Sequence, residues 1–153
     1  MSINIQVSSS STDLPADTDI DDWIRQTLVH ANRVDAEVTL RVVDESEITD
    51  LNRVYRDKNS PTDVLAFPNP LPQEIDMDLL GDVVVCAGII NQHAFDHKIS
   101  QSAHWARVIA HGILHLCGYD HAQPDDATHM ERAEAEILKQ VGLVHAELLR
   151  SES

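Results

Sequence analysis

The sequence predicts an α+β protein: one mixed four-stranded sheet with about five helices packed on it, in a single domain over 1–153. Three observations predict this. Stretches with apolar residues at every second position are interspersed with stretches of helical period, rather than grouped by type. A chain of 153 residues suits one domain whose core needs no disulfide framework. Its 42% hydrophobic and 24% charged residues are those of a globular chain, not of a disordered or membrane-embedded one.

The elements follow in order. INIQV (Ile3–Val7) alternates and reads as the first strand. DTDIDDWIRQTLVHANRV places Ile20, Trp23, Ile24, Leu28 and Ala31 at helical spacing, with Thr18 the expected N-cap. EVTLRVV (Glu37–Val43) puts Val38, Leu40 and Val42 on one face of a strand. SEITDLNRVYR reads as a helix capped by Ser46, with Ile48, Leu51 and Tyr55 on its apolar face and its end near Arg56. DVLAF (Asp63–Phe67) is a short strand; Pro68, Pro70 and Pro72 then predict an exposed loop. LGDVVVC is the most β-branched run and the best candidate for a central strand. A short helix runs to about His97, SAHWARVIAHGILHLC is a long apolar helix, and Pro124 opens a last one. A short flexible tail is expected after about 145.

Composition limits the function classes. No apolar run approaches the roughly 20 residues that span a bilayer, and the N-terminus lacks the charged and apolar regions of a secretory signal. Cys86 and Cys117 lie in apolar surroundings and suit buried thiols in a reducing compartment. A cytoplasmic protein without membrane contact is therefore expected. The formal charge of −15 should repel nucleic acid at long range, so an RNA-directed function needs a local basic feature.

The stretch HGILHLCGYDH holds the most informative chemistry. His111 and His115 are i and i+4, so they share one helical face and can share one metal ion. Gly118 suits a left-handed helix stop, and the turn after it can bring His121 back toward the pair. Three imidazoles with an open fourth position describe a catalytic zinc site, with Asp120 a candidate acceptor behind a ligand. His104 lies seven residues before His111 and can line the same cleft. His30, His93, His97, His129 and His145 read as surface or partly packed, and Cys117 as core rather than ligand. The same spacing occurs in metzincin proteases, where a Glu general base follows the first His. Here that position is Gly112, which counts against a peptidase.

A second signal is LNRVYRDKNSPTDVLAFP, where Arg53, Arg56 and Lys58 make the densest basic cluster of an acidic chain. Arg56 offers the planar fork that suits a phosphate or a phosphorane; cations at a helix C-terminus are also favoured by the macrodipole alone.

With LGDVV, HWARVIAHGILHLCGYDH and MERAEAEILKQVG, this stretch resembles the YbeY family of bacterial rRNA maturation factors, in order from about Leu51 to Gly142. The resemblance implies a single-strand-specific, metal-dependent endoribonuclease that matures ribosomal RNA 3′ ends, notably of the small subunit, and assists ribosome quality control. It implies zinc on His111, His115 and His121 and a functional arginine at Arg56. Implied partners are ribosomal RNA, the small ribosomal subunit, ribosomal proteins and a ribosome-associated GTPase. Asn59, Ala66, Arg107 and Cys117 depart from the family's usual residues, and none touches the triad or Arg56. Two alternatives remain at this level: a metal-dependent hydrolase of peptide or amide bonds, and a ribosome-assembly binding factor whose zinc is structural.

Overall fold

A computed structural model describes residues 1–70, 78–120 and 122–148. Among them run strands β1 (Ser2–Ser8), β2 (Glu37–Val43), β3 (Val64–Pro68) and β4 (Leu79–Cys86). The helices are α1 (Asp17–His30), α2 (Glu45–Arg56), α3 (Ala87–Asp96), α4 (Gln101–Leu116) and α5 (Pro124–Gln140). The sheet order is β1-β2-β4-β3. β1 and β4 run parallel to β2, while β3 pairs antiparallel to β4, so the sheet is mixed and the architecture is the α+β one expected.

The β-branched run does become an interior strand, and its composition follows from its place. Val83 and Val85 face a core with Ile20, Ile24 and Leu28 of α1, Ile90 of α3, and Trp105 and Ile109 of α4. Val84 and Cys86 face the other side, where Ile48 of α2, Leu65 and Val43 close a smaller core. A strand buried on both faces needs a continuous apolar run rather than alternation. Burial also pushes the thiols of Cys86 and the half-buried Cys117 up, away from the reactive thiolate form. α5 packs on α4 through Met130, Ala133 and Ile137 against Ala110 and Leu114.

Two expected helix caps are corrected. α1 is capped by Ala16 rather than Thr18, with no side-chain hydrogen bond. α2 starts after Asp44, so its N-cap is Asp44 rather than Ser46, again with no side-chain hydrogen bond to the helix. The Asp44 carboxylate is engaged elsewhere: it accepts Ser9 Oγ at 2.6 Å and the Ser10 N–H at 3.1 Å, tying the end of β1 to the start of α2. Tyr55 is also displaced from its expected role on the apolar face of α2, being 65% exposed. The expected Pro-rich loop falls largely on 71–77, outside the described residues. Of the expected flexible C-terminal tail, 146–148 are described and held in place, Glu147 accepting from Arg107 Nη1 at 3.2 Å and Leu148 being buried, while 149–153 lie outside the described residues. Among the described residues no helix is long and apolar enough to cross a membrane.

Candidate active site

α4 positions its two histidines by lying close on the sheet. A Cβ on Gly112 would stand 2.6 Å from Cγ1 of Val83 and 3.0 Å from Cγ2 of Val64. Only hydrogen fits there without movement of β3 or β4, so the missing side chain lets the helix seat on the strands. The same packing leaves no room at this position for the Glu general base of a metzincin, which would point into Val83 and Val64. His111, half-buried, and His115, exposed, flank Gly112 and open onto the edge strand β3. α4 then stops as expected: Gly118 takes φ +99°, and the Tyr119 N–H donates to the Leu114 carbonyl at 3.0 Å. His121, the expected third ligand, lies outside the described residues. Asp120 Oδ1 accepts the Ala122 N–H at 3.2 Å in that turn.

Arg56 comes to the same place from the opposite side. α2 ends when Asp57 adopts a left-handed conformation, φ 56° and ψ 36°. The buried Asn52 fixes the following loop, its Nδ2 donating to the Ser60 carbonyl at 2.9 Å. The loop leads into β3, and a cleft of about 610 Å3 forms between α2, β3 and α4. Its walls include Tyr55, Arg56, Asp63, Phe67, His111 and His115. The structure thus brings together Arg56 and two of the three expected ligands. Of the basic cluster only Arg56 reaches this wall among the described residues; Arg53 pairs with Asp50 at 3.3 Å and lies exposed.

The sequence did not reveal what stands behind His111. Its Nδ1–H donates to Oε2 of Glu134 at 3.0 Å, and Oε1 of the same carboxylate accepts Arg107 Nε at 2.9 Å. Glu134 is 1% exposed and comes from α5. A proton held at Nδ1 leaves the lone pair of His111 at Nε2, which is the form a metal ligand needs. A signal for Glu134 does exist: it occupies the i+4 position of the stripe Met130, Ala133, Ile137 and Leu138, where an unpaired charge would be costly. Arg107, the departure that left its position open, braces this carboxylate.

A smaller cavity of about 230 Å3 adjoins His111 and is lined by Asp63, His93, His104, Arg107 and Glu147. His104 therefore lines the neighbouring cavity, not the Arg56 cleft. His145 is a correction: expected at the surface or partly packed, it is 2% exposed. The Glu147 N–H donates to Nδ1 of His145 at 3.2 Å. That places the proton of the neutral ring at Nε2, which donates to Nδ1 of His104 at 3.0 Å. Burial first, then neighbouring charges, lowers both imidazoles to about 4, so both are neutral at neutral pH. Two sets, His93–His97–Glu147 and His104–His145–Glu147, hold ligand atoms within 4.8 Å of one another and could take an ion. In the second set the hydrogen-bond relay already uses the facing nitrogens.

The donor set in the cleft fits a borderline-soft divalent ion: two imidazoles one helical turn apart, one with its tautomer fixed by a buried carboxylate.

Comparison with known proteins agrees with this chemistry. The sequence profile of the family described as Endoribonuclease YbeY matches residues 4–142. A relative from Alcanivorax borkumensis, named Endoribonuclease YbeY, is 42% identical over 144 residues, covering 92% of this chain and 82% of its own. The solution structure of TM1509 from Thermotoga maritima superposes with a TM-score of 0.59 at 23% identity. It covers 97% of this chain and 95% of its own, and supports the fold alone. By the profile and the Alcanivorax relative, the chain belongs to the YbeY family.

Proposed function

We propose that this chain is a metal-dependent endoribonuclease cutting single-stranded RNA. Its work is the maturation of ribosomal RNA 3′ ends, notably of the small subunit, and ribosome quality control in the cytoplasm. The observation that carries this reading is the single cleft lined by Arg56, His111 and His115. The name of the Alcanivorax relative supports the reaction class. In this reading zinc is held by His111, His115 and His121. Ribosomal proteins of the small subunit and a ribosome-associated GTPase deliver the acidic chain to an RNA it would not find by charge.

The residues divide the work. Arg56 holds non-bridging oxygens of the scissile phosphate with its fork and neutralises the charge that grows there. Glu134 keeps the His111 proton at Nδ1, the tautomer in which Nε2 is the nitrogen able to ligate. A zinc ion held by these residues would supply Lewis-acid polarisation of the phosphodiester. Attack by water or by the ribose 2′-hydroxyl is told apart by the products, since only the latter leaves a cyclic phosphate.

The test is cleavage of a single-stranded RNA spanning a small-subunit 3′ end by metal-loaded wild type, Arg56→Ala and Arg56→Lys. Arg56 is exposed, so both variants should keep metal content and melting temperature. Cleavage should fall roughly 100-fold in Arg56→Ala, with partial recovery in Arg56→Lys. Intact RNA after incubation with the wild type, ribosomal subunits included, would refute the proposal.

A further inference from the structure

A chain with a net charge of −15 and, among the described residues, Arg56 as the one Lys or Arg on its cleft wall must draw RNA affinity from something other than long-range attraction. The cleft offers a source that needs no positive surface. Tyr55, the residue before Arg56, is 65% exposed, which is unusual for so large an apolar ring at the end of a packed helix. Its ring meets that of Phe67 with centroids 4.7 Å apart and planes inclined at 59°. Phe67 is rooted in the smaller core beside Leu65 and Val84. Both rings line the cleft that holds Arg56, His111 and His115. The pair is therefore anchored at Phe67 and open at Tyr55.

We infer that Tyr55, backed by Phe67, is the stacking platform for one unpaired base of the RNA, next to the phosphate held by Arg56. This rests on the endoribonuclease reading and adds to it the source of single-strand selectivity. A nucleotide whose phosphate sits on the Arg56 guanidinium carries its base one sugar away, and Tyr55 is the neighbouring side chain. Base–aromatic stacking is indifferent to base identity because every base has a π-face. The contact between rings is short-ranged and uncharged, so it adds affinity without a positive surface. In a duplex both faces of a base are covered by its neighbours, so the platform takes a base only from a single strand or after unstacking. Selectivity for unpaired RNA then comes from the aromatic ring, while Arg56 engages the phosphate that follows or precedes it.

The test uses the metal-loaded full chain and single-stranded RNAs carrying 2-aminopurine, or an abasic spacer, at successive positions around the cut. One position should show quenched 2-aminopurine fluorescence on binding, and an abasic spacer there should raise KM about tenfold or more. Tyr55→Ala should abolish the quenching and raise KM by a similar factor with kcat changed little, and Tyr55→Trp should restore both. Phe95→Ala, which removes an 80% exposed ring on α3 away from this cleft, should do neither. Cleavage that proceeds with unchanged KM in Tyr55→Ala, or without quenching at any position, overturns the platform and leaves the endoribonuclease reading standing. Quenching that depends on Tyr55 without cleavage supports the platform and sinks the catalytic reading. Quenching lost equally in Phe95→Ala overturns the assignment to Tyr55, as does a Tyr55→Ala protein that loses only binding to a ribosomal protein.

Discussion

Two pairs of imidazoles, His111 with His115 and His104 with His145, differ in how their rings are bonded. In the cleft, His111 and His115 share one helical face, and His111 turns its Nε2 away from a buried carboxylate. Behind it, His104 and His145 are buried, neutral and bonded to each other. The residue type is the same; what differs is where each ring's second nitrogen goes. A ring whose Nδ1–H donates to Glu134 is held as the tautomer whose acceptor nitrogen is Nε2, the form a metal ligand needs. A ring whose lone pair is taken by a backbone N–H, as in His145, spends its proton on a neighbour and serves as packing. Proximity of histidines is therefore a weaker sign of a metal site than the partner of the rear nitrogen.

The largest effect that would break this comparison is expected at Glu134. Glu134→Ala removes the carboxylate that Arg107 and His111 share, leaving Arg107 only Glu147 at 3.2 Å, and should cost about 2–4 kcal/mol of stability. Glu134→Gln keeps the shape but weakens the hold on Nδ1–H, and should lower metal affinity about 10- to 100-fold with a smaller loss of melting temperature. Metal titration of Glu134→Gln by calorimetry checks this; unaltered affinity would mean the carboxylate only packs.

Next in size is Gly112→Ala, which forces a methyl against Val83 and Val64. It should cost about 1–3 kcal/mol in denaturant unfolding and lower cleavage through displacement of His111 and His115. Full stability and activity would show that α4 has slack on the sheet.

The smallest effect concerns the buried pair. His104 and His145 have folded values near 4, below the ordinary value of 6.5. Between about pH 6.5 and 4 the unfolded chain binds protons that the folded pair does not, so stability is full above that window and is lost as pH falls through it. Thermal melts of the wild type should drop on the order of 1–3 kcal/mol in stability across that window. The drop should be shallower in His104→Gln, whose amide can still accept from His145. An equal slope in the variant would place the acid sensitivity elsewhere.

How much of this was legible depends on the range of the interaction. LGDVVVC announced an interior strand because burial on both faces requires an unbroken apolar run. The HxxxH spacing and Gly118 announced the helix, its face and its stop, all within eleven residues. The N-cap of α2 was misplaced at Ser46 because Asp44 answers to Ser9 and Ser10, over thirty residues away, rather than to its own helix, and that of α1 at Thr18 because Ala16 caps without a side-chain hydrogen bond. The pairing of His104 with His145 spans 41 residues and leaves no local trace. Glu134 was readable as a charge on an apolar stripe, and was missed because MERAEAEILKQ also reads as an ordinary amphipathic helix. Tyr55 fits the apolar face of α2 by spacing, and only the cleft geometry shows it turned outward.

The most direct test of the central claim is zinc binding by the wild type beside His115→Ala, with His145→Ala as the contrasting buried histidine. His115 is exposed, so its loss removes little packing. Wild type should bind one ion tightly, and His115→Ala should lose that binding with its fold retained. His145→Ala should bind one ion still, though it melts earlier. Retained zinc in His115→Ala together with lost zinc in a folded His145→Ala would contradict the account and move the metal to the buried cluster.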